Sequence, residues 1–122
     1  PAVVLLHRSS AVRDTPLLLD VYADIACPWC WIGEHRLQAA LDRLRAERPD
    51  LPPIERRWRP FQLQPQLPAP GLPWADFARR KFGSEAQQRQ MFAHVAAAGA
   101  ADGCDFRFER FTAAPNTADA HR

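Results

Sequence analysis

Ile25-Ala26-Cys27-Pro28-Trp29-Cys30-Trp31-Ile32-Gly33 is the stretch around which the chain is organised. It follows an apolar, strand-like run and leads straight into a helical pattern. Two cysteines separated by two residues at the first turn of a helix can form a small, readily exchanged disulfide. The first N–H groups of a helix have no internal partner, and with the macrodipole they favour a nearby anion. In such a position a thiol pKa can fall by several units from about 8.5. Cys27, at the mouth of the turn, reads as the nucleophile, and Cys30, one turn in and more covered, as the resolving thiol. Pro28 fits between them because the first helical position tolerates a missing N–H and a fixed φ. Trp29 should be partly exposed beside the pair and able to touch a client, whereas Trp31 suits core or interdomain packing.

Working outward, Leu17 to Tyr22 is an apolar run broken only by Asp20, the pattern of a central strand covered on both faces. After Trp31 the apolar residues Leu37, Ala40, Leu41 and Leu44 recur at helical spacing, predicting a helix from Cys27 or Pro28 to Glu47, stopped by Pro49. Ile54 to Trp58 reads as a second strand, which makes a right-handed parallel βαβ unit. In such units the functional groups sit at the carboxyl ends of the strands, where Cys27 falls.

Further along, residues 60–73 are proline-rich and read as an extended connector. Trp74 to Phe82 predicts a short helix closed by Gly83. Ser84 and Gln87 form a capping box for another helix, ended by Gly99 and Gly103. Phe106 to Phe111 suggests an extended segment, and Asn116 or Thr117 the cap of a further helix. The expected divisions are an N-terminal arm or edge strand (1–16), the βαβ part (17–65) and the start of a helical insertion (66–122).

The bulk numbers narrow the classes. With 122 residues the chain is long enough for one modest core. Sixteen basic residues, all but one arginine, are interspersed with 14 acids for a net charge of +2, which reads as solvated faces rather than a nucleic-acid surface. No run is long and apolar enough to suggest a membrane span. The start lacks the basic region and cleavage site of a signal peptide. Three cysteines, an odd count, suit a reducing cytoplasmic setting with one redox pair plus a spare better than a stapled secreted domain.

The run from Asp24 to Gly33 resembles the DsbA superfamily of thioredoxin-fold proteins, particularly its FrnE-like branch. Arg59-Pro60-Phe61-Gln62-Leu63-Gln64-Pro65 and Asn116-Thr117-Ala118-Asp119-Ala120-His121-Arg122 carry the same resemblance, in the same order. The resemblance implies an α/β fold: a thioredoxin-like βαβ unit with an inserted helical domain. It implies thiol–disulfide oxidoreductase activity through Cys27 and Cys30, and a substrate groove walled by Trp31, Asn116, Thr117 and His121. In that family the insertion is followed by a cis-proline loop, two antiparallel strands and a closing helix. None of these is in the chain, which therefore reads as the N-terminal part of a longer fold, with a homodimer as one way of covering the sheet. The best-known DsbA pattern has His where Trp29 stands, so its oxidising strength is not implied here.

No metal or organic cofactor is expected; protein or small-molecule thiols and disulfides are the expected partners, with glutathione as a candidate reductant. A zinc site would need Cys104 with His35, His94 or His121 to join the pair. Cys104, flanked by acids, reads as a small buried thiol, and His35 as a helix-surface residue. Asp24 and Glu34 are candidate proton carriers, or simply exposed polar residues. The competing readings are a hydroxychromene-carboxylate isomerase or kappa glutathione transferase, which use Ser where Cys27 stands, and a non-enzymatic zinc- or partner-binding module.

Overall fold

The computed structural model describes residues 3–7 and 15–122. Of the N-terminal arm expected over residues 1–16, the remaining positions lie outside the described residues. The chain divides into two compact units, the first ending at Phe61 and the second running Gln62–Arg122.

In the first unit a three-stranded sheet has the order β1-β2-β3. Strand β1 (Val3–His7) runs antiparallel to β2 (Leu17–Ala23), and β2 pairs parallel with β3 (Ile54–Pro60) from Leu17↔Ile54 to Ala23↔Pro60. The expected central strand is thus the middle one, and the crossover between the parallel pair is helix α1 (Pro28–Glu47), with the bounds its Pro28 start and Pro49 stop predict. Strand β3 runs two residues past the predicted Trp58. Pro60 can end it because this edge position needs no N–H, and the ladder closes with the Phe61 N–H donating to Ala23 O at 3.1 Å.

Directly opposed residues of the parallel pair share a face. Leu19, Val21 and Ala23 therefore lie on one side with Arg56 and Trp58, and Asp20 and Tyr22 on the other with Arg57 and Arg59. Arg56 forms an ion pair with Glu34 of α1, which identifies the first side as the one the helix covers. Only Cys30 and Ile32 of α1 are buried. The predicted core stripe is correspondingly weaker than its spacing suggests: Leu37, Leu41 and Leu44 are half-buried and Ala40 is exposed. The reason is length, since a 20-residue helix spans about 30 Å and a seven-residue strand about 23 Å. The far end of α1 overhangs, and a shallow apolar cleft of about 270 Å³ lies there, lined by Leu41, Leu44, Leu51, Pro53 and Ile54 among others.

On the opposite side of the sheet Asp20 is buried, and two arginines explain how a carboxylate is tolerated there. Arg57 donates from Nε to Oδ1 (2.8 Å) and from Nη2 to Oδ2 (3.1 Å), and Arg59 Nε also reaches Oδ1 at 3.2 Å. The Arg57 hydrogen bonds, more than the neighbouring charges, hold Asp20 below the usual carboxylate range against the opposing effect of burial.

The second unit is built from α2 (Trp74–Phe82), α3 (Glu85–Ala101) and a two-stranded pairing of β4 (Leu72–Pro73) with β5 (Ala113–Ala114). Gly83 follows α2 at φ 76°, and the Ser84–Gln87 capping box opens α3, both as the sequence predicts. Helix α3 does not stop at Gly99. That residue is buried within the helix, and a Cβ there would lie 2.5 Å from the Phe106 ring, so the glycine serves close packing rather than termination. The segment predicted as extended from Phe106 is instead a 3-10 turn at Phe108–Arg110. Aromatic stacking decides this: Phe108 lies parallel to Phe92 at 4.3 Å and to Phe106 at 5.2 Å, while Trp74 meets Phe111 edge-on at 4.9 Å. Only a folded-back segment brings those rings together. At the terminus the predicted helix is a short 3-10 turn, Asp119–His121, preceded by Ala118.

Candidate active site

Asp24, at the carboxyl end of β2, opens the turn that carries the cysteines. Its carboxylate Oδ1 accepts the Ala26 N–H (3.3 Å) and its carbonyl accepts the Cys27 N–H (3.1 Å). Asp24 is buried, so its turn-building role replaces the exposed-residue reading. Cys27 is then the N-cap of α1, in extended backbone (φ −102°, ψ 108°), with Pro28 at the first helical position. The Cys30 N–H, one of the orphan donors of the helix start, points at Cys27 Sγ at 3.3 Å. No acidic residue occupies the first turn, so nothing there offsets the positive end of the helix dipole.

The two thiols are unequal. Both are free and buried, but Cys30 is displaced from its ordinary titration range, pushed up to about 11. Burial is the largest cause, and its hydrogen bond to the Cys27 sulfur adds to it, partly offset by the Asp24 backbone. A raised folded-state pKa means that holding Cys30 neutral stabilises the fold fully below the unfolded value near 9, and that this contribution is lost as pH rises through about 11. In the reduced protein, denaturation midpoints measured from pH 8 to 11 are expected to fall more steeply than those of Cys30→Ser, whose side chain does not titrate. Parallel curves would show that Cys30 is not held neutral by the fold.

Glu34 lies one helical turn beyond Cys30 and is not the exposed residue its charge suggests. Its Oε1 pairs with Arg56 without hydrogen-bond alignment, and its Oε2 is buried with no hydrogen-bond partner among the described residues. Around the pair stand exposed apolar side chains: Ile25 (67% exposed), Trp29 (38%) and Trp31 (53%). Trp29 is exposed as expected. Trp31 is not in a core; it meets the His35 ring edge-on at 4.7 Å, and its carbonyl lies 3.0 Å from His35 Nδ1. Among the described residues no group of three or more His, Cys, Asp or Glu side chains could hold a metal ion. No described helix is long and apolar enough to cross a membrane.

Asn116, Thr117 and His121 belong to the second unit, and Trp31 to the first. Asn116 donates from Nδ2 to the Leu67 carbonyl (2.6 Å), while its Oδ1 accepts from Gln62 Nε2 (3.2 Å) and the Ala118 N–H (3.0 Å). Two of the motifs that carry the family resemblance therefore bond to each other, an architectural use invisible in the spacing. Thr117 is buried and its carbonyl accepts the His121 N–H at 3.2 Å. Cys104 is buried, with its N–H bonded to the Gly99 carbonyl at 2.8 Å.

A parallel βαβ unit with a Cys-x-x-Cys pair at the start of its crossover helix defines a thioredoxin-like dithiol protein. The family profile of the DSBA-like thioredoxin domain matches residues 18–122, and the chain belongs to that family. A solved structure of a probable DsbA oxidoreductase from Streptomyces coelicolor is similar to this chain, with a TM-score of 0.67 and 28% identity over 85% of this chain. The match takes in 43% of that protein, so the chain spans less than half the length of this relative. No protein of curated function matches the chain.

Proposed function

We propose that the chain is the dithiol-bearing part of a protein thiol–disulfide oxidoreductase of the FrnE-like branch, with Cys27 as nucleophile and Cys30 as resolving thiol. The observation that carries this reading is the inequality of the two thiols. Cys27 Sγ receives a helix N-terminal N–H, and Cys30 is held protonated behind it.

Cys27 thiolate attacks one sulfur of a substrate disulfide; a Cys27–substrate disulfide forms and the other substrate sulfur leaves as thiolate, taking up a proton. Cys30 then loses its proton, attacks Cys27 Sγ, and releases the second substrate thiol. The substrate gains two electrons and the protein keeps the Cys27–Cys30 disulfide, which a thiol reductant such as glutathione reopens. In the oxidising direction the same steps reverse. Because Cys30 titrates so high, its attack needs a proton acceptor; we assign that role to Glu34, four residues further along α1, whose buried Oε2 makes no hydrogen bond among the described residues.

At pH 8 a thiol titrating near 11 is thiolate in about one molecule in a thousand. Iodoacetamide is therefore expected to alkylate Cys27 to completion while Cys30 stays unlabelled, read by mass spectrometry of the peptides. Equal rates at the two sulfurs would end the assignment of nucleophile and resolver.

A further inference from the structure

Asp24 is joined to the dithiol at more points than a strand end needs. The turn from Asp24 to Cys27 has Ile25 and Ala26 at its centre. Neither residue has a turn preference, and the β-branched Ile favours extended chain. The bonds that close the turn both end on Asp24: its carbonyl accepts the Cys27 N–H, and its carboxylate Oδ1 accepts the Ala26 N–H. A third contact reaches the other cysteine, since a main-chain hydrogen bond from Asp24 favours the charged form of the Cys30 thiol. Asp24 is 4% exposed and both cysteines are buried. Further cover on this unit only deepens that burial.

The consequence falls on Cys27. Its sulfur stands where a helix usually places the side-chain oxygen of Ser, Asp or Asn, and it accepts the Cys30 N–H at 3.3 Å. That bond requires Cys27 to hold the extended backbone of an N-cap, φ −102° and ψ 108°. The residue just before it, Ala26, is the one whose N–H the Asp24 carboxylate fixes. A hydrogen bond that stabilises the sulfur anion favours the reduced pair over the disulfide and so raises oxidising power. A buried side chain that touches neither sulfur thus has a physical route to the redox equilibrium.

We propose that Asp24 is a positioning residue for disulfide exchange: its side-chain oxygen holds the Ile25–Ala26 turn, keeps Cys27 Sγ on the Cys30 N–H, and so poises the pair toward the dithiol. The inference rests on the exchange activity proposed above and adds the residue that sets its equilibrium. Asp24 acts through an acceptor oxygen rather than through charge, which separates Asp24→Asn from Asp24→Ala.

The test is the equilibrium in which the reduced chain and glutathione disulfide give the Cys27–Cys30 disulfide and two molecules of glutathione. Asp24→Ala is expected to shift it about tenfold toward the protein disulfide, a potential lower by about 30 mV. Asp24→Asn keeps an acceptor oxygen and is expected to stay near the wild-type value. Asp24→Ser, whose hydroxyl builds the same turn more weakly, should fall between them, and it carries the comparison if the alanine variant does not fold. An equilibrium that Asp24→Ala and Asp24→Ser leave in place overturns the proposal, even where both variants lose stability, because Asp24 is then structural only. Asp24→Asn moving as far as Asp24→Ala overturns it too, since charge rather than the acceptor oxygen is then at work. Should the wild-type chain form no Cys27–Cys30 disulfide with glutathione, the exchange reading itself fails, and iodoacetamide still decides the positioning. The ratio of Cys27 to Cys30 labelling would then fall about tenfold in Asp24→Ala and be kept in Asp24→Asn if Asp24 seats the sulfur, and be equal in all three chains if it does not.

Discussion

Replacing Cys27 with Ser is expected to abolish disulfide exchange, a fall of about a thousandfold or more, since a hydroxyl at the N-cap cannot form the mixed disulfide. Cys30→Ser should behave differently: the first attack proceeds, and the Cys27–substrate adduct accumulates because nothing resolves it. Mass spectrometry under non-reducing conditions would display that adduct in Cys30→Ser and not in Cys27→Ser. Glu34→Gln completes the series. It keeps the shape of the side chain and removes its proton-accepting charge, so adduct formation should continue while resolution slows. If Glu34→Gln leaves both phases untouched, its carboxylate is a partner of Arg56 and no proton acceptor. An adduct on Cys30 in place of Cys27 would invert the assignment of the two thiols.

The second large effect concerns stability. Ile32 is 1% exposed, the largest fully buried side chain among the described residues. Ile32→Ala removes three methyl or methylene groups where neighbours cannot fully close in, a loss of about 2–5 kcal/mol; Ile32→Val should cost only about 0.5–1.5 kcal/mol. Against a typical total of roughly 5–15 kcal/mol, the alanine variant forfeits a large share of what holds this unit. Because Ile32 and Cys30 are the buried residues of α1, the damage falls on the end of the helix that presents the cysteines. Denaturant midpoints give the stability, and Cys30 alkylation in the same variant reports the loosening, expected to rise well above the wild-type rate. A stable Ile32→Ala with Cys30 still protected would show that the strands, not this side chain, seat the helix.

Much of this arrangement is legible in the sequence because local chemistry and tertiary structure agree. Pro28 and Pro49 bracket a helix whose ends no distant contact overrides, and Ser84 with Gln87 closes its cap within four residues. What sequence reading misses is set by partners far along the chain. Gly99 has the look of a stop signal, but the Phe106 ring requires its missing Cβ inside the helix. Phe106 and Phe108 alternate like a strand, while stacking on each other and on Phe92 folds the segment into a turn. Glu34 sits in a polar stretch of helix and turns out to be half-buried because Arg56, on another element, meets it there. Trp31 has the composition of a core residue but stands exposed over His35. Burial of a charge or exposure of an indole depends on the facing surface, about which periodicity carries no information.

The bond from Gln62 to Asn116 joins residues 54 positions apart, and Asn116 is tied in turn to Leu67. Chain leaving at one end of this segment therefore returns beside its starting point. Doubling a loop whose ends are so joined adds only about 0.6 kcal/mol of closure entropy. The helices between can therefore vary in length at little entropic cost while the amides of Gln62 and Asn116 hold the two ends of this segment together. Selection would then act on Gln62 and Asn116 as a pair, with either substitution costly until the other compensates.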